Sequence, residues 1–137
     1  AAPLAKHLGL MPKVEPDLRE VCLGQWDGGL HRIKAAAGDP ILRRSIDNQE
    51  WGEIPGAETT AALQTRVRNG LMRIAAAHLD QLVAVVVHGG VIAAAMSLAT
   101  GAAPFAFLQA ENGSISRLVM DRDKMQARAF NDVSHLD

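Results

Sequence analysis

Apolar residues recur at helical spacing in the middle of the chain. Leu63, Val67, Leu71, Ile74 and His78 follow one another at intervals of four, four, three and four residues. This is the repeat of a single helix face, so the spacing predicts a long amphipathic helix. The arginines of this stretch are predicted on its other faces: Arg66, Arg68 and Arg73.

A different pattern follows directly. Leu82 to Val87 is an unbroken and mostly β-branched apolar run, Leu-Val-Ala-Val-Val-Val, called the apolar run below. A short run of this kind is typical of a strand buried on both faces of a parallel sheet. His88-Gly89-Gly90 comes next, and Val91 to Thr100 is predicted as a helix that Gly101 ends.

The rest of the chain alternates between helical and extended patterns. Asp39 followed by Pro40 is typical of a helix N-cap, and this helix is predicted to run to about Gln49. The other predicted elements are helices over Ala1–Gly9 and Leu30–Ala37, an extended stretch over Val14–Leu18, and strands over Ser114–Met120 and Met125–Asn131. Residues 121–124 supply a polar turn between the last two strands. This order predicts an α/β fold with helices on both faces of a sheet.

Composition narrows the functional classes. The 137 residues make one domain, and 14 basic against 15 acidic residues give a net charge of −1, which argues against a non-specific nucleic-acid binder. No run of about 18 apolar residues is present, so no membrane span is predicted. The single cysteine excludes an intrachain disulfide, and the five histidines lack metal-ligand spacing, so no metal is expected. The sequence shows no targeting segment, which favours a cytoplasmic location.

The strongest local indication of a functional site is a predicted strand that is followed directly by His88-Gly89-Gly90 and then by a predicted helix. Sites in α/β proteins lie at the carboxyl ends of strands. Two glycines allow a ligand close to the backbone, and the N-terminus of the next helix favours an anion. The pattern thus predicts a phosphate or carboxylate site, although His88 ending a strand with no ligand is the alternative. A P-loop and a serine nucleophile elbow are both absent.

Several short motifs occur together in a recognisable order. They are Leu18-x-Glu20, Gly24-x-Trp26-Asp27-Gly28, Pro55-Gly56-Ala57-Glu58-Thr59 and Val85-Val86-Val87-His88-Gly89-Gly90. Together they closely resemble the histidine phosphatase superfamily, which includes phosphoglycerate mutases and acid phosphatases. Asn112-Gly113-Ser114-Ile115 and Asn131-Asp132-Val133-Ser134-His135-Leu136 resemble its phosphatase branch. The resemblance implies a three-layer αβα sandwich with a mostly parallel sheet, one domain over residues 1–137, and a lid-like insertion at about residues 25–55.

The resemblance also implies roles for particular residues. In the family, a histidine in an Arg-His-Gly motif forms a phosphohistidine, a second histidine holds the phosphoryl oxygens, and a carboxylic acid protonates the leaving group. His88 matches the second histidine and Glu20 matches the acid, while the Gly89 N–H would add a phosphate contact. Asn112 is placed at the pocket rim. Arg32 would bind an anionic substrate tail, with a solvated surface position as the alternative. No cofactor is implied.

The sequence departs from the family in one respect, because it contains no Arg-His-Gly. The chain therefore resembles a C-terminal portion that lacks the N-terminal central strand, and negligible turnover is expected from these residues alone. The first hypothesis is a phosphomonoesterase for a small phosphorylated metabolite, with this chain supplying the acid and the second histidine. A mutase is disfavoured because the stretch between Gly28 and Trp51 is short.

The second hypothesis is a non-catalytic anion-binding or oligomerising module that has lost its nucleophile. In either case, substrate or inorganic phosphate is the expected small-molecule partner. The missing strand would come from another polypeptide, the chain would pair with itself in a homo-oligomer, or the fold would be rearranged.

Overall fold

A computed structural model describes residues 1–136, which form five α-helices and one two-stranded antiparallel sheet. The helices are α1 (Ala2–Leu8), α2 (Leu30–Ala36), α3 (Pro40–Asn48), α4 (Thr60–Ala77) and α5 (Gly89–Thr100). The strands are β1 (Ile115–Asp121) and β2 (Lys124–Asp132). Single 3₁₀ turns lie at Pro16–Leu18, Gly24–Trp26, Trp51–Glu53 and Ser134–Leu136.

Side-chain caps explain where two of the helices begin. The Asp39 carboxylate accepts the Ile41 N–H at 2.9 Å at the start of α3, whose first residue is Pro40, as predicted. The Thr59 hydroxyl accepts the Ala62 N–H at 3.1 Å at the start of α4. In each case a short polar side chain satisfies a backbone donor that has no partner within the helix.

The core lies between α4, α5 and the loops around them. The predicted helix face is confirmed, because Leu63 and Val67 of α4 are buried against Ile54. Helix α5 packs on α4 on one side and on the β1–β2 hairpin on another. Its small side chains allow this, and most of the residues of α5 are buried.

The hairpin matches its prediction to within one or two residues. Met120 pairs with Met125 and Asp121 with Lys124, which leaves a two-residue turn. The first residue of this turn, Arg122, has a φ of 54°. Positive φ at this position is usual in tight hairpin turns.

The apolar run is extended but is not a strand. Within residues 1–136, none of the backbone N–H or C=O groups of residues 82–87 takes part in a hydrogen bond. Leu82 is 103% exposed and Val86 65% exposed. A strand needs a hydrogen-bonded neighbour on at least one side, and no described segment is hydrogen-bonded to this one. The α/β class is confirmed, but the mostly parallel sheet and the three-layer sandwich are not seen in the described residues.

The prediction of an extended stretch over Val14–Leu18 was also wrong in part. Its second half is a 3₁₀ turn that begins at Pro16, and the Glu15 carboxylate accepts the Asp17 N–H at 3.1 Å. A local cap with proline at the first position favours a turn over a strand.

The segment from residue 25 to residue 55 contributes Trp26, Trp51 and Ile54 to the core, and its two ends meet. The Gln25 N–H donates to the Pro55 carbonyl at 3.0 Å. Gly24 has a φ of +56°, and a Cβ on it would collide with the backbone of Gly56. The ends of this 25–55 segment are therefore joined by direct backbone contact. Within it, the Trp51 ring packs on Phe105 at 4.5 Å between centroids.

Candidate functional site

The N-terminus of α5 presents its first residues beside an exposed histidine. His88 is the N-cap residue, with extended backbone (φ −97°, ψ 169°) and no side-chain hydrogen bond to the helix. Its imidazole lies on the surface, whereas Gly90 is buried. The positive end of a helix of this length attracts negatively charged groups.

The carboxylate of Glu20 lies at this helix end. One of its oxygens accepts the Gly90 N–H at 3.3 Å, and the other accepts the Val21 N–H at 2.8 Å. A Cβ on Gly90 would lie 2.5 Å from the Glu20 Oε1 atom. The structure therefore brings Glu20 to the His88-Gly89-Gly90 motif, about 70 residues further along the chain. The absent side chain of Gly90 makes room for the carboxylate.

Arg66 holds the backbone that carries Glu20. Its Nη1 atom donates to the carbonyls of Asp17 at 2.8 Å and Arg19 at 2.6 Å, and its Nη2 atom donates to the carbonyl of Glu20 at 3.1 Å. The same guanidinium pairs with Glu58 through Nε at 2.9 Å and Nη2 at 2.5 Å. Arg66 is 8% exposed, so its charge is buried with its partner.

Glu58 continues the contact on the other side of Glu20. Its Oε1 atom accepts the Cys22 N–H at 2.8 Å, and its own N–H donates to the Cys22 carbonyl at 3.0 Å. Burial acts to raise the pKa of Glu58, but the hydrogen bonds from Arg66 and Cys22 outweigh burial, so the pKa is lowered. Arg66 and Glu58 together are called the Arg66–Glu58 clamp.

Arg66 was predicted on an outer face of the helix, which was wrong, so the clamp was not predicted. Arg66 instead shares the buried face of α4 with Leu63, Val67 and Gly70. A signal was present in the spacing, since residues 63, 66, 67 and 70 are neighbours on one helix face. A charged residue in the middle of an apolar face is usually buried only when it is paired.

The other predicted binding residues lie elsewhere on the surface. Arg32 is exposed on α2, and Asn112 is exposed in the turn before β1. Within residues 1–136, no hydrogen bond or ion pair joins either residue to Glu20 or His88. Gly89 lies at the helix end, where a Cβ would be 3.9 Å from the Leu108 carbonyl oxygen. The roles of Arg32, Asn112 and Gly89 stay predictions.

Two further observations concern the described residues as a whole. They contain no group of three or more histidine, cysteine, aspartate or glutamate side chains that would hold a metal ion. None of the helices in this part of the chain has both the length and the apolar character to cross a membrane.

Comparison with known proteins identifies the family. No curated protein matches the chain. The family model of the histidine phosphatase superfamily (branch 1) matches residues 1–133, which includes Glu20, the clamp and the His88-Gly89-Gly90 motif. This match covers almost the whole chain and agrees with a phosphatase or mutase type of function. The chain belongs to the histidine phosphatase superfamily, branch 1.

Proposed function

We propose that this chain supplies half of the active site of a phosphomonoesterase that acts on a small phosphorylated metabolite. Glu20 is the general acid and His88 is the second histidine, which binds the phosphoryl group. The proposal depends on one observation, the Glu20 carboxylate seated at the N-terminus of α5 beside His88-Gly89-Gly90. An acid and an anion site next to each other are what transfer of a phosphoryl group requires.

In this proposal the phosphoryl oxygens lie against the His88 imidazole and the Gly89 N–H. These groups stabilise the negative charge of the transferring phosphoryl group. The bond from phosphorus to the leaving oxygen breaks as a bond to a nucleophilic histidine nitrogen forms, and Glu20 gives its proton to the leaving oxygen. Water then hydrolyses the phosphohistidine. No cofactor takes part, Arg32 binds an anionic substrate tail, and Asn112 lies at the rim.

The nucleophile is the part that this chain does not supply. None of its five histidines stands in an Arg-His-Gly tripeptide. We therefore assign the phosphohistidine to an Arg-His-Gly segment of the complete enzyme. The same proposal makes the apolar run a strand of a mostly parallel sheet in a three-layer domain.

A second function, a non-catalytic anion-binding or oligomerising module, is supported by a separate observation. The apolar run has no backbone partner among the described residues and exposes Leu82 and Val86. Unpaired backbone next to apolar side chains favours pairing with another chain. In this function the α5 site binds an anion without turnover.

The test combines turnover with binding. Hydrolysis of para-nitrophenyl phosphate and binding of vanadate, followed by ⁵¹V NMR, are measured for the chain, for His88→Ala and for His7→Ala as the control. His7 is an exposed histidine of α1, and no hydrogen bond or ion pair within residues 1–136 joins its side chain to the motif. We expect no turnover in any sample. Vanadate affinity should fall by about tenfold or more in His88→Ala, the loss of one charge-assisted hydrogen bond, and stay unchanged in His7→Ala.

Two results would contradict the proposal. Equal vanadate affinity in the chain and in His88→Ala would remove His88 from the anion site. Turnover by the chain that disappears in His88→Ala would show that the nucleophile is already present, so the site would not be a half-site.

A further inference from the structure

Within residues 1–136, the Glu20 carboxylate has no side-chain partner that fixes its position. Among these residues it accepts hydrogen bonds from two backbone N–H groups, those of Val21 and Gly90. Gly90 belongs to α5, most of whose residues are buried. The placement of the carboxylate therefore depends on how firmly the backbone around Glu20 is held.

That backbone is held on both sides by the Arg66–Glu58 clamp. Before Glu20, Arg66 binds the carbonyls of Asp17 and Arg19, and at Glu20 itself it binds the carbonyl. After Glu20, Glu58 binds both the N–H and the carbonyl of Cys22. We infer that Arg66 and Glu58 are positioning residues that set Glu20 against the N-terminus of α5. This inference rests on the proposed role of Glu20 as the acid.

The chemistry of the two side chains suits this task. The guanidinium uses Nε, Nη1 and Nη2 in five hydrogen bonds spread over Glu58 and three carbonyls. Lysine has three donors on one nitrogen and cannot span these acceptors in one plane. The charges of Arg66 and Glu58 cancel, so the clamp fixes the backbone without placing a net charge beside the carboxyl group.

The experiment monitors the Glu20 contact directly and uses no phosphate. The backbone amide shift of Gly90 is followed by ¹H–¹⁵N NMR while the pH is lowered through the range in which carboxyl groups titrate. The samples are the chain, Arg66→Lys, Glu58→Gln and the control Arg68→Lys. Arg68 is an exposed residue of the same helix and donates only to the Asp123 carbonyl. Glu20→Gln shows which part of the shift comes from Glu20 rather than from the neighbouring His88.

We expect the Gly90 amide of the chain to respond to acid, and Glu20→Gln to abolish that response. In Arg66→Lys the response should fall by about twofold or more, because a hydrogen bond weakens steeply as its geometry is lost. Glu58→Gln should give a smaller loss, since the amide oxygen still accepts the Cys22 N–H. Arg68→Lys should match the unaltered chain.

A merely structural role gives a different result. In that case Arg66→Lys lowers the melting temperature but leaves the acid response of Gly90 unchanged, and the inference is overturned. An acid response that survives in Glu20→Gln overturns it as well, since the contact would not be its source. If Arg66→Lys does not fold, Glu58→Gln decides. Loss of the native spectrum in both shows a role in folding and not in positioning. Failure of vanadate binding, in contrast, contradicts only the proposed function.

Discussion

Two neighbouring apolar segments, the apolar run and α5, have opposite surroundings. Most residues of α5 are buried, whereas Leu82, Val83, Val85 and Val86 of the run are exposed. A helix makes its backbone hydrogen bonds within itself, so α5 needs only surfaces to pack on. A strand makes its backbone hydrogen bonds with neighbours, so an apolar sequence alone does not bury it. The difference shows that a strand depends on its partner segments in a way that a helix does not.

The largest effect is expected when one leucine is replaced in the buried core and one in the exposed run. Leu63 is 2% exposed on α4, while Leu82 is 103% exposed in the run. We expect Leu63→Ala to reduce the free energy of unfolding by about 2–5 kcal/mol through lost burial and a cavity. Leu82→Ala should change it by less than about 0.5 kcal/mol. Urea denaturation measures both. A comparable loss in Leu82→Ala would show that the run is packed.

The next test concerns the first turn of α5. A Cβ on Gly90 would lie 2.5 Å from Glu20 Oε1 and 3.2 Å from Val21 Cγ1, while one on Gly89 would meet nothing closer than 3.9 Å. Both changes to alanine gain the same helix propensity, so their difference isolates the clash. We expect Gly90→Ala to be about 1–2 kcal/mol less stable than Gly89→Ala. Equal melting temperatures in the two variants would argue against the Glu20 contact.

A smaller effect on stability is expected from His31, a polar side chain that packs near two tryptophan rings. Its ring lies near both Trp26 and Trp51, and its Nε2 atom is buried with no hydrogen-bond partner among residues 1–136. Burial lowers the pKa of His31 below 6.5, so the unfolded chain takes up this proton more readily than the folded chain. The contribution of neutral His31 to the free energy of unfolding is complete above pH 6.5 and is lost as the pH falls through the lowered pKa.

His31→Phe should remove this pH dependence. In mildly acidic solution it should raise the free energy of unfolding by on the order of 1 kcal/mol. Chemical denaturation at mildly acidic and mildly alkaline pH measures it. A variant that keeps the slope of the unaltered chain would assign the slope to another group.

The smallest effect on stability is expected in the run itself. Val85→Lys should change the free energy of unfolding by less than about 0.5 kcal/mol. It should nevertheless reduce concentration-dependent association, because a charge on an unpaired edge opposes strand pairing. Sedimentation velocity over a range of concentrations measures this. Ile33→Lys is the control. Ile33 is also an exposed apolar residue, but it lies on helix α2, which makes its backbone hydrogen bonds within itself. Equal association of both variants would argue against the oligomerising function.

The elements that depend on local interactions could be predicted from the sequence. Helix α4 followed from the spacing of Leu63 and Val67, helix α3 from Asp39 and Pro40, and the hairpin from its polar turn. The apolar run was predicted as a strand of a parallel sheet, and its unpaired state among the described residues could not be predicted. Its pattern reports that the side chains are apolar, and it carries no information on whether a neighbouring strand is present.

The candidate site shows the same division. The motif around His88 and the candidate acid Glu20 could be selected because each has a characteristic local sequence. The structure places the Glu20 carboxylate at the Gly90 N–H, and the roles of Glu20, His88, Arg32 and Asn112 stay predictions. The burial of Arg66 could have been predicted from its spacing with Leu63 and Val67. Its acceptors could not, since the carbonyls of Asp17, Arg19 and Glu20 belong to the backbone and leave no mark in a sequence.

The closed base of the 25–55 segment has a consequence for how this domain tolerates change in chain length. Its two ends are joined by the Gln25–Pro55 hydrogen bond and the contact of Gly24 with Gly56. Residues inserted between these points do not alter the separation of the ends. Doubling the length of a flexible loop adds only about 0.6 kcal/mol of closure entropy. The exposed turn at Gly38 between α2 and α3, inside this segment, is thus a natural place for evolution or design to insert residues while Glu20 and the N-terminus of α5 keep their relative positions.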